Sequence, residues 1–388
     1  MIGHNGIHGF GVKKPDDPTR RTLLRIAATG LAALLAHAIP ASRLAAQSPT
    51  KVVIGRVPVN ALASNYIGEV DFFRDEGLAL EPTRFDNAGQ MFQAMMAGDL
   101  VAGETGLAPT IVALTRGLPF IAPFLGACSA PDHPYERIMV LPDSPIRTLD
   151  DLKGKKLGYQ GPGTVPDMLL GALSRRSKIR KEDIELVPLP PPNQPDALGQ
   201  RLVDAIFSTP PVDTVAERKY SARTVANATE LVSYSGLSTF VFRRDFADRN
   251  PEIVGQLLAA EIRFARWIED NPAAARTAMG KNLGLPDELA SQARLPLFAR
   301  NGLPIMPNVW HVYQMLIESK TIDPHSDAVK LFNDMIVEPV KRFTLPTVEK
   351  LGIAPDPVIE KMLTAEYPLL PKPNASYYAD WERRLLKL

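Results

Sequence analysis

Short continuous apolar runs alternate along this chain with stretches in which apolar residues return every three or four positions, the signatures of buried strands and packed helices. Residues 52–57 are apolar except for Arg56 and read as a strand, followed at 58–65 by a turn rich in amides and hydroxyls. Tyr66, Ile67, Val70 and Phe73 then recur at helical spacing, which predicts a helix closed by Glu76 and Gly77. Residues 80–85 read as a second strand, 91–97 as a helix stopped by Gly98, 100–104 as a third strand, 111–116 as a helix and 120–125 as a fourth strand. Between strand and helix stand small polar turns, Asp86-Asn87-Ala88-Gly89-Gln90 and Thr105-Gly106-Leu107-Ala108-Pro109.

The most informative stretch is 146–167. Thr148 caps a short turn through Leu152, Gly154 stops it, and residues 155–159 form a strand. Gln160-Gly161-Pro162-Gly163 follows, with two glycines that let backbone approach a ligand, and Thr164 caps a helix with Pro166 in its first turn and Asp167 three residues beyond the cap. A helix start at the carboxyl end of a strand offers N–H groups to an anion or a polar oxygen, worth roughly 0.3–1 kcal/mol from the dipole alone.

The pattern then repeats. Lys51-Val-Val-Ile corresponds to Lys155-Lys-Leu-Gly, Leu78-Ala-Leu-Glu-Pro to Ile184-Glu-Leu-Val-Pro, Asn87 to Asn193, and Leu100-Val101-Ala102 with Pro109 to Leu202-Val203-Asp204 with Pro211. Alternating strands and helices with short connections predict an α/β fold of two related lobes, each a mostly parallel sheet flanked by helices, with the ligand at the carboxyl ends of the strands. The expected division is residues 47–127 plus 243–388 for one lobe and 128–242 for the other. The connections at 127–137 and 234–242 read as hinges. Asn250-Pro251 opens a long helix with an inward stripe of Ile253, Leu257, Ala260, Phe264 and Trp267. Further helices are predicted at 273–279, 288–293 and 308–319, the last capped by Asn308, before short helices and Pro-rich loops at 327–388.

Composition narrows the class. With 388 residues, 45% hydrophobic content and a net charge of +1, the chain can bury two ordinary cores and has no electrostatic bias toward nucleic acid. Its beginning is distinct: Thr19-Arg20-Arg21-Thr22-Leu23-Leu24-Arg25 precedes an apolar run over 26–39, too short to span a bilayer comfortably. This reads as a twin-arginine export signal on residues 1–46, cleaved near Ala46, and predicts a periplasmic protein. The single cysteine, Cys128, excludes a disulfide within the chain and a lipid-anchoring cysteine near the cleavage site. No metal-site spacing occurs among the six histidines, and no cofactor is expected.

The candidate ligand residues are those of the strand-to-helix turns: Asn60, Asn65, Asn87, Gln90, Thr105 and Gly106 in the first lobe, and Gln160, Gly161, Gly163, Thr164, Ser208 and Thr209 in the second. Arg56 and Arg84 are read as partners of Glu81, Asp86 or Glu104 rather than of a ligand. Without a basic cluster facing the cleft, a polyphosphate is disfavoured, and a single sulfonate, carboxylate or nitrate held by N–H groups is the expected solute. Each charge-assisted bond contributes roughly 1.5–3 kcal/mol, so three or four reach micromolar affinity, about 8 kcal/mol. Cys128 with the nearby Asp132 and His133 is the one arrangement that would serve an enzyme, as nucleophile and base.

Asp151-Leu152-Lys153-Gly154-Lys155-Lys156-Leu157-Gly158, Phe72-Phe73-Arg74-Asp75-Glu76-Gly77-Leu78, Ala97-Gly98-Asp99-Leu100-Val101, and Asn250-Pro251-Glu252 before a helix bearing Trp267 resemble, in that order, the nitrate, sulfonate and taurine type of substrate-binding proteins that serve ABC importers. The resemblance covers about residues 51–323. It implies a two-lobed periplasmic-binding-protein fold (type II), a monomer that closes over a small solute, and ABC permease transmembrane subunits as partners. The same family includes binding proteins for pyrimidine thiamine precursors and a few desulfinating enzymes, so the alternatives of a pyrimidine ligand or a Cys128-dependent reaction stay open.

Overall fold

The computed structural model describes residues 48–354 except 60, 130–132, 232–234 and 305. Residues 1–47, where an export signal was expected, Asn60 and the tail beyond 354 lie outside the described residues. The architecture below is that of the unit Pro49–Leu388.

The strands in chain order are β1 (Thr50–Arg56), β2 (Leu78–Arg84), β3 (Ala102–Gly106), β4 (Phe120–Leu125), β5 (Ala127–Ser129), β6 (Arg137–Val140), β7 (Lys156–Tyr159), β8 (Glu185–Pro188), β9 (Ala205–Ser208), β10 (Arg223–Asn227), β11 (Ser235–Gly236), β12 (Ser238–Arg243) and β13 (Leu297–Phe298). They form two five-stranded sheets of the same order, β2-β1-β3-β12-β4 and β8-β7-β9-β6-β10. In each, the first three strands are parallel, the fourth runs antiparallel to its neighbours, and the predicted repeat is therefore present as topology. The fourth strand is the segment that has just arrived from the other sheet: β6 after the outward crossing, β12 after the return. Each crossing is thus fixed to the interior of the sheet it enters.

The inner strands β9 and β12 are buried almost throughout, as strands covered on both faces must be, and so is β4 at one edge of the first sheet, while the edge strands β2 and β8 are half exposed. Pro82 and Pro188, the prolines of the repeat, lie on those two edge strands, where a missing N–H breaks no ladder on the outer side. Gly55 and Gly103 are small for a packing reason: a Cβ on either would meet the Met91 side chain at 2.4 Å and 2.6 Å, so the Ala88–Ala97 helix lies directly on β1 and β3.

The two crossings do not run free. β11, β5 and β13 form a third, three-stranded sheet in which Gly236 pairs with Cys128 and Leu297 pairs with Cys128 from the other side. The return crossing is complete by Ser238, because β12 already pairs with β3 and β4 of the first sheet.

Some predicted elements shift. The helix expected from Tyr66 to Glu76 is two short turns, Ala63–Tyr66 and Phe72–Asp75, separated by an extended link in which Gly68 donates to the Val70 carbonyl and Asp71 caps the second turn by accepting from the Arg74 N–H at 3.1 Å. Tyr66 and Phe73 are still buried, so two turns reproduce the spacing of one helix. The helix after β3 starts at Leu107, immediately at the strand end, and leaves no intervening turn. The Met306–Glu318 helix begins ahead of Asn308, which is therefore not its cap, and Val309, Val312 and Leu316 on it are buried. The Arg244–Arg249 helix was not anticipated.

Pro251–Asp270 is the long packing helix, with Leu257, Ala260 and Phe264 fully buried and Ile253 and Trp267 at its half-exposed margin. Helical backbone resumes at Ala328–Phe332 and runs through two π-helical segments, Asn333–Val337 and Val340–Thr344, into Leu345–Lys350. Pro339 and Pro346 interrupt the ordinary ladder here, and wider turns accommodate them. The Thr344 hydroxyl donates to the Pro123 carbonyl, which docks this segment against β4.

Candidate functional site

The carboxyl ends of all six parallel strands converge on one cavity of ≈ 70 Å³. Val57 and Val59 follow β1, Asp86 and Asn87 follow β2, and Thr105 and Gly106 end β3; from the second sheet come Gln160 and Thr164 after β7, Pro191 after β8 and Thr209 after β9. Tyr135 and Glu136 from the outward crossing and Leu237 and Ser238 from the return close its floor. At about 10–15 Å³ per water, the space holds roughly five waters, the scale of a small solute. A wider groove of ≈ 810 Å³, flanked by Met96, Arg116, Gly163, Lys181 and Lys320, lies beside it and shares Pro109 with it.

Six of the twelve residues expected to bind ligand line the inner cavity: Asn87, Thr105, Gly106, Gln160, Thr164 and Thr209. Asn87 also caps its helix, accepting from the Gln90 N–H at 3.1 Å, and Gln90 itself points elsewhere, contributing only that N–H. Asn65 is fully buried behind the wall, where its side-chain amide donates to the Val59 carbonyl at 2.7 Å. Ser208 is buried in β9 one residue short of the cavity. Asn60 lies outside the described residues.

The Gly161–Thr164 loop departs from the expected cup of open N–H groups. Gly161 and Gly163 do adopt positive φ, +121° and +74°. The Gly163 N–H, however, donates to the Asp167 carboxylate at 2.9 Å, and the Thr164 hydroxyl donates back to the Gly161 carbonyl at 2.7 Å. Asp167, rather than Thr164, therefore completes the helix start, and Lys181 and Thr321 in turn hold Asp167. Gly163 faces the outer groove, and Gly161 lines neither space. At β3 the Leu107 N–H is likewise taken, by the Leu237 carbonyl at 3.0 Å. Helix starts surround the cavity, but part of their donor capacity is satisfied within the loops.

The charged residues at the site were missed by the sequence reading. Glu136, one residue before β6, is 1% exposed, and one carboxylate oxygen, Oε2, has no hydrogen-bond partner. Burial pushes its carboxyl up to about 7, partly opposed by a bond from its own N–H and by the Arg294 charge. Arg294 is itself held by Asp213 at 2.5 Å and by the Tyr135 carbonyl at 2.9 Å. Asp86 supplies a second carboxylate, on the first-sheet side. Among the described lining residues there is no lysine, arginine or histidine. The signal for Glu136 was faint: a lone acid in a crossing segment read as a hinge.

Behind the Thr105 wall, Glu104 accepts from the Ser64 N–H at 3.0 Å and from the Ser64 hydroxyl, and Arg56 donates to the Ser64 carbonyl at 3.0 Å. Arg56 thus stands beside Glu104 in the β1–β3 ladder, as structural pairing requires, and not in the cavity. Glu261 from the long helix presses against Glu104, and burial together with that charge holds its carboxyl well above the usual range. Cys128 is fully buried, donates to the Leu297 carbonyl at 3.5 Å and does not line the cavity, while His133 is exposed. The site offers acceptors and hydroxyls around a small space, and neither Cys128 nor His133 lines it.

This geometry, two like sheets opening on one cavity, has relatives. A family model described as NMT1-like matches residues 45–281, more than half of the sequence. The chain belongs to the NMT1-like family. The taurine-binding periplasmic protein of Escherichia coli K12 is 27% identical over 201 residues, which cover 52% of this chain and 61% of that protein. The chain spans about three fifths of the length of that relative and of the putative aliphatic sulfonates-binding protein of the same organism. Among solved structures, the periplasmic aliphatic sulphonate binding protein SsuA from Escherichia coli superposes with a TM-score of 0.59 at 22% identity, covering 72% of this chain and 91% of that one. The periplasmic nitrate-binding protein NrtA from Synechocystis PCC 6803 gives a TM-score of 0.67 at 14% identity over 78% and 89%. These likenesses establish the two-lobed periplasmic-binding-protein fold.

Proposed function

We propose that this NMT1-like chain is the extracytoplasmic solute-binding component of an ABC importer, exported and cleaved near Ala46. It captures a small solute between lobes 47–127 plus 243–388 and 128–242, closes over it as a monomer, and presents the closed form to the permease subunits. The observation that carries this reading is the cavity: both sheets wall it with the carboxyl ends of their parallel strands, and both crossings form its floor. A solute touching both walls binds the closed arrangement better than the open one and shifts the population toward it.

The names of the relatives, which bind sulfonates, taurine and nitrate, support the expected small anionic group. Such a group would rest here on Thr105, Thr164, Asn87 and backbone N–H groups, since no cation lines the described cavity. The experiment is a thermal-shift and calorimetric screen of the mature chain with taurine, alkanesulfonates, nitrate, aromatic carboxylates and pyrimidines, with small-angle scattering to follow closure. At a hundredfold excess over its dissociation constant, a true ligand adds about 2.7 kcal/mol of stability. A compound that binds without compacting the protein would sink the closure mechanism, and failure of every compound would sink the receptor reading.

A further inference from the structure

We propose that Glu136 determines the specificity of this cleft, and that the solute presents a nitrogen hydrogen-bond donor to its carboxylate: a protonated amine, an amidine or the amino edge of a heterocycle. The inference rests on the receptor reading and goes beyond it, because neither the relatives nor the residue pattern assigns Glu136 a role.

Two unpartnered polar groups meet here. Glu136 is 1% exposed, lines the cavity and leaves Oε2 without a partner. Thr209 is 4% exposed, lines the same cavity, and its hydroxyl is also without one. They are neighbours by register, since Arg137 pairs with Ser208 in the antiparallel β6–β9 ladder and the next residues outward are Glu136 and Thr209. A carboxylate that leaves water without gaining a donor is costly, and such a group is retained where a ligand completes it.

The surrounding charges decide what that ligand is. Arg294, the cation facing Glu136, is engaged with Asp213 and with the carbonyls of Pro134 and Tyr135. Asp86 adds a second negative group across the cavity. An anion placed against the ionised Glu136 meets like charge, and Arg294 is already engaged elsewhere, whereas an N–H or ammonium supplies the missing donor, favours the ionised carboxylate and has Thr209 as a second acceptor. An acidic group on the same solute would be held by the other lining hydroxyls, Thr105 from the first sheet and Thr164 from the second.

The test uses taurine and ethanesulfonate, which differ only in the amine, together with acetamidine, 4-aminopyrimidine and nitrate, titrated calorimetrically into the mature protein and into Glu136→Gln and Thr209→Val. At least one nitrogen-bearing probe is expected to bind ten or more times tighter than ethanesulfonate and nitrate. Removing the charge-assisted bond in Glu136→Gln should then weaken that probe about tenfold to a hundredfold. Thr209→Val should weaken it several-fold, and thermal melts of the ligand-free variants confirm that they fold. The proposal falls if ethanesulfonate or nitrate binds as tightly as the nitrogen-bearing probes, or if Glu136→Gln keeps its affinity within twofold; the receptor reading survives either result. Silence of all five probes counts against both.

Discussion

Replacing Glu136 by Gln removes a charge that the fold holds at a cost, and the cost can be read from pH. The Glu136 carboxyl moves from 4.5 to about 7 on folding, chiefly because burial disfavours its ionised form. At about 1.4 kcal/mol per unit, the ionised group destabilises the ligand-free protein by about 3 kcal/mol. The sign follows from proton linkage: below 4.5 the group is protonated in both states and costs nothing. Between 4.5 and about 7 the unfolded chain ionises first, so stability falls as pH rises, and above that window the whole penalty is present. Glu136→Gln carries no such term. Urea unfolding of both proteins between pH 4.5 and about 8.5 should show the variant gaining on the native protein by about 3 kcal/mol across the window. Glu261 and Glu269, whose carboxyls are also raised, are common to both proteins and cancel in the difference. A difference that stays flat with pH would refute the reasoning, because it would mean that Glu136 remains solvated or paired. A saturating nitrogen-bearing solute should shrink the difference, since it stabilises the ionised native form alone.

Asp213, with a fully buried side chain and both Arg137 and Arg294 on one oxygen, should be essential: Asp213→Asn strips Arg294 of its carboxylate partner, leaves Arg137 with Glu217 alone, and should cost about 3–5 kcal/mol in denaturant midpoints. A loss below about 1 kcal/mol would mean that water already shares the site. Gly55→Ala drives a Cβ to within 2.4 Å of Met91 and should destabilise by about 1–3 kcal/mol, with Met91→Ala in the same background giving part of it back. Additive losses in that double variant would contradict the direct clash. Cys128→Ala should leave solute affinity within twofold, because the thiol lies in the crossing sheet and not in the cavity; loss of a measurable turnover in that variant would restore the enzyme reading.

The sheets were legible because their evidence is local and repeated. Apolar runs marked β1, β4 and β7 to within two residues, and the Leu78 and Ile184 segments, each ending in proline, marked β2 and β8, one edge strand of each sheet. The false helix at 66–76 shows the limit of periodicity: Tyr66 and Phe73 are buried by packing against the Pro251–Asp270 helix, and side-chain spacing alone does not say whether one helix or two turns present them. At the site, the turns that reached the cavity were those at strand ends, which topology places there whatever their sequence. What could not be read was which polar atoms remain unsatisfied after folding, since that depends on partners distant in the chain, such as Leu237 for the Leu107 N–H.

That distinction locates selectivity. A helix start offers the same donors to any oxygen, and here two of the N–H groups first counted as available are used within the fold, by Asp167 and by Leu237. The turns therefore give the cavity its shape and position more than its chemical preference. Glu136 differs because it belongs to neither set of turns: it sits one residue before β6, where the chain has just left the small crossing sheet and enters the centre of the second lobe. A group at that point lines a cavity walled by both sheets, so on the proposed closure its environment would change. Closing the lobes on an unpartnered carboxylate is unfavourable, and closing them on one that has gained a donor is not. If Glu136 chooses the solute as proposed, it is placed to make closure depend on having found it.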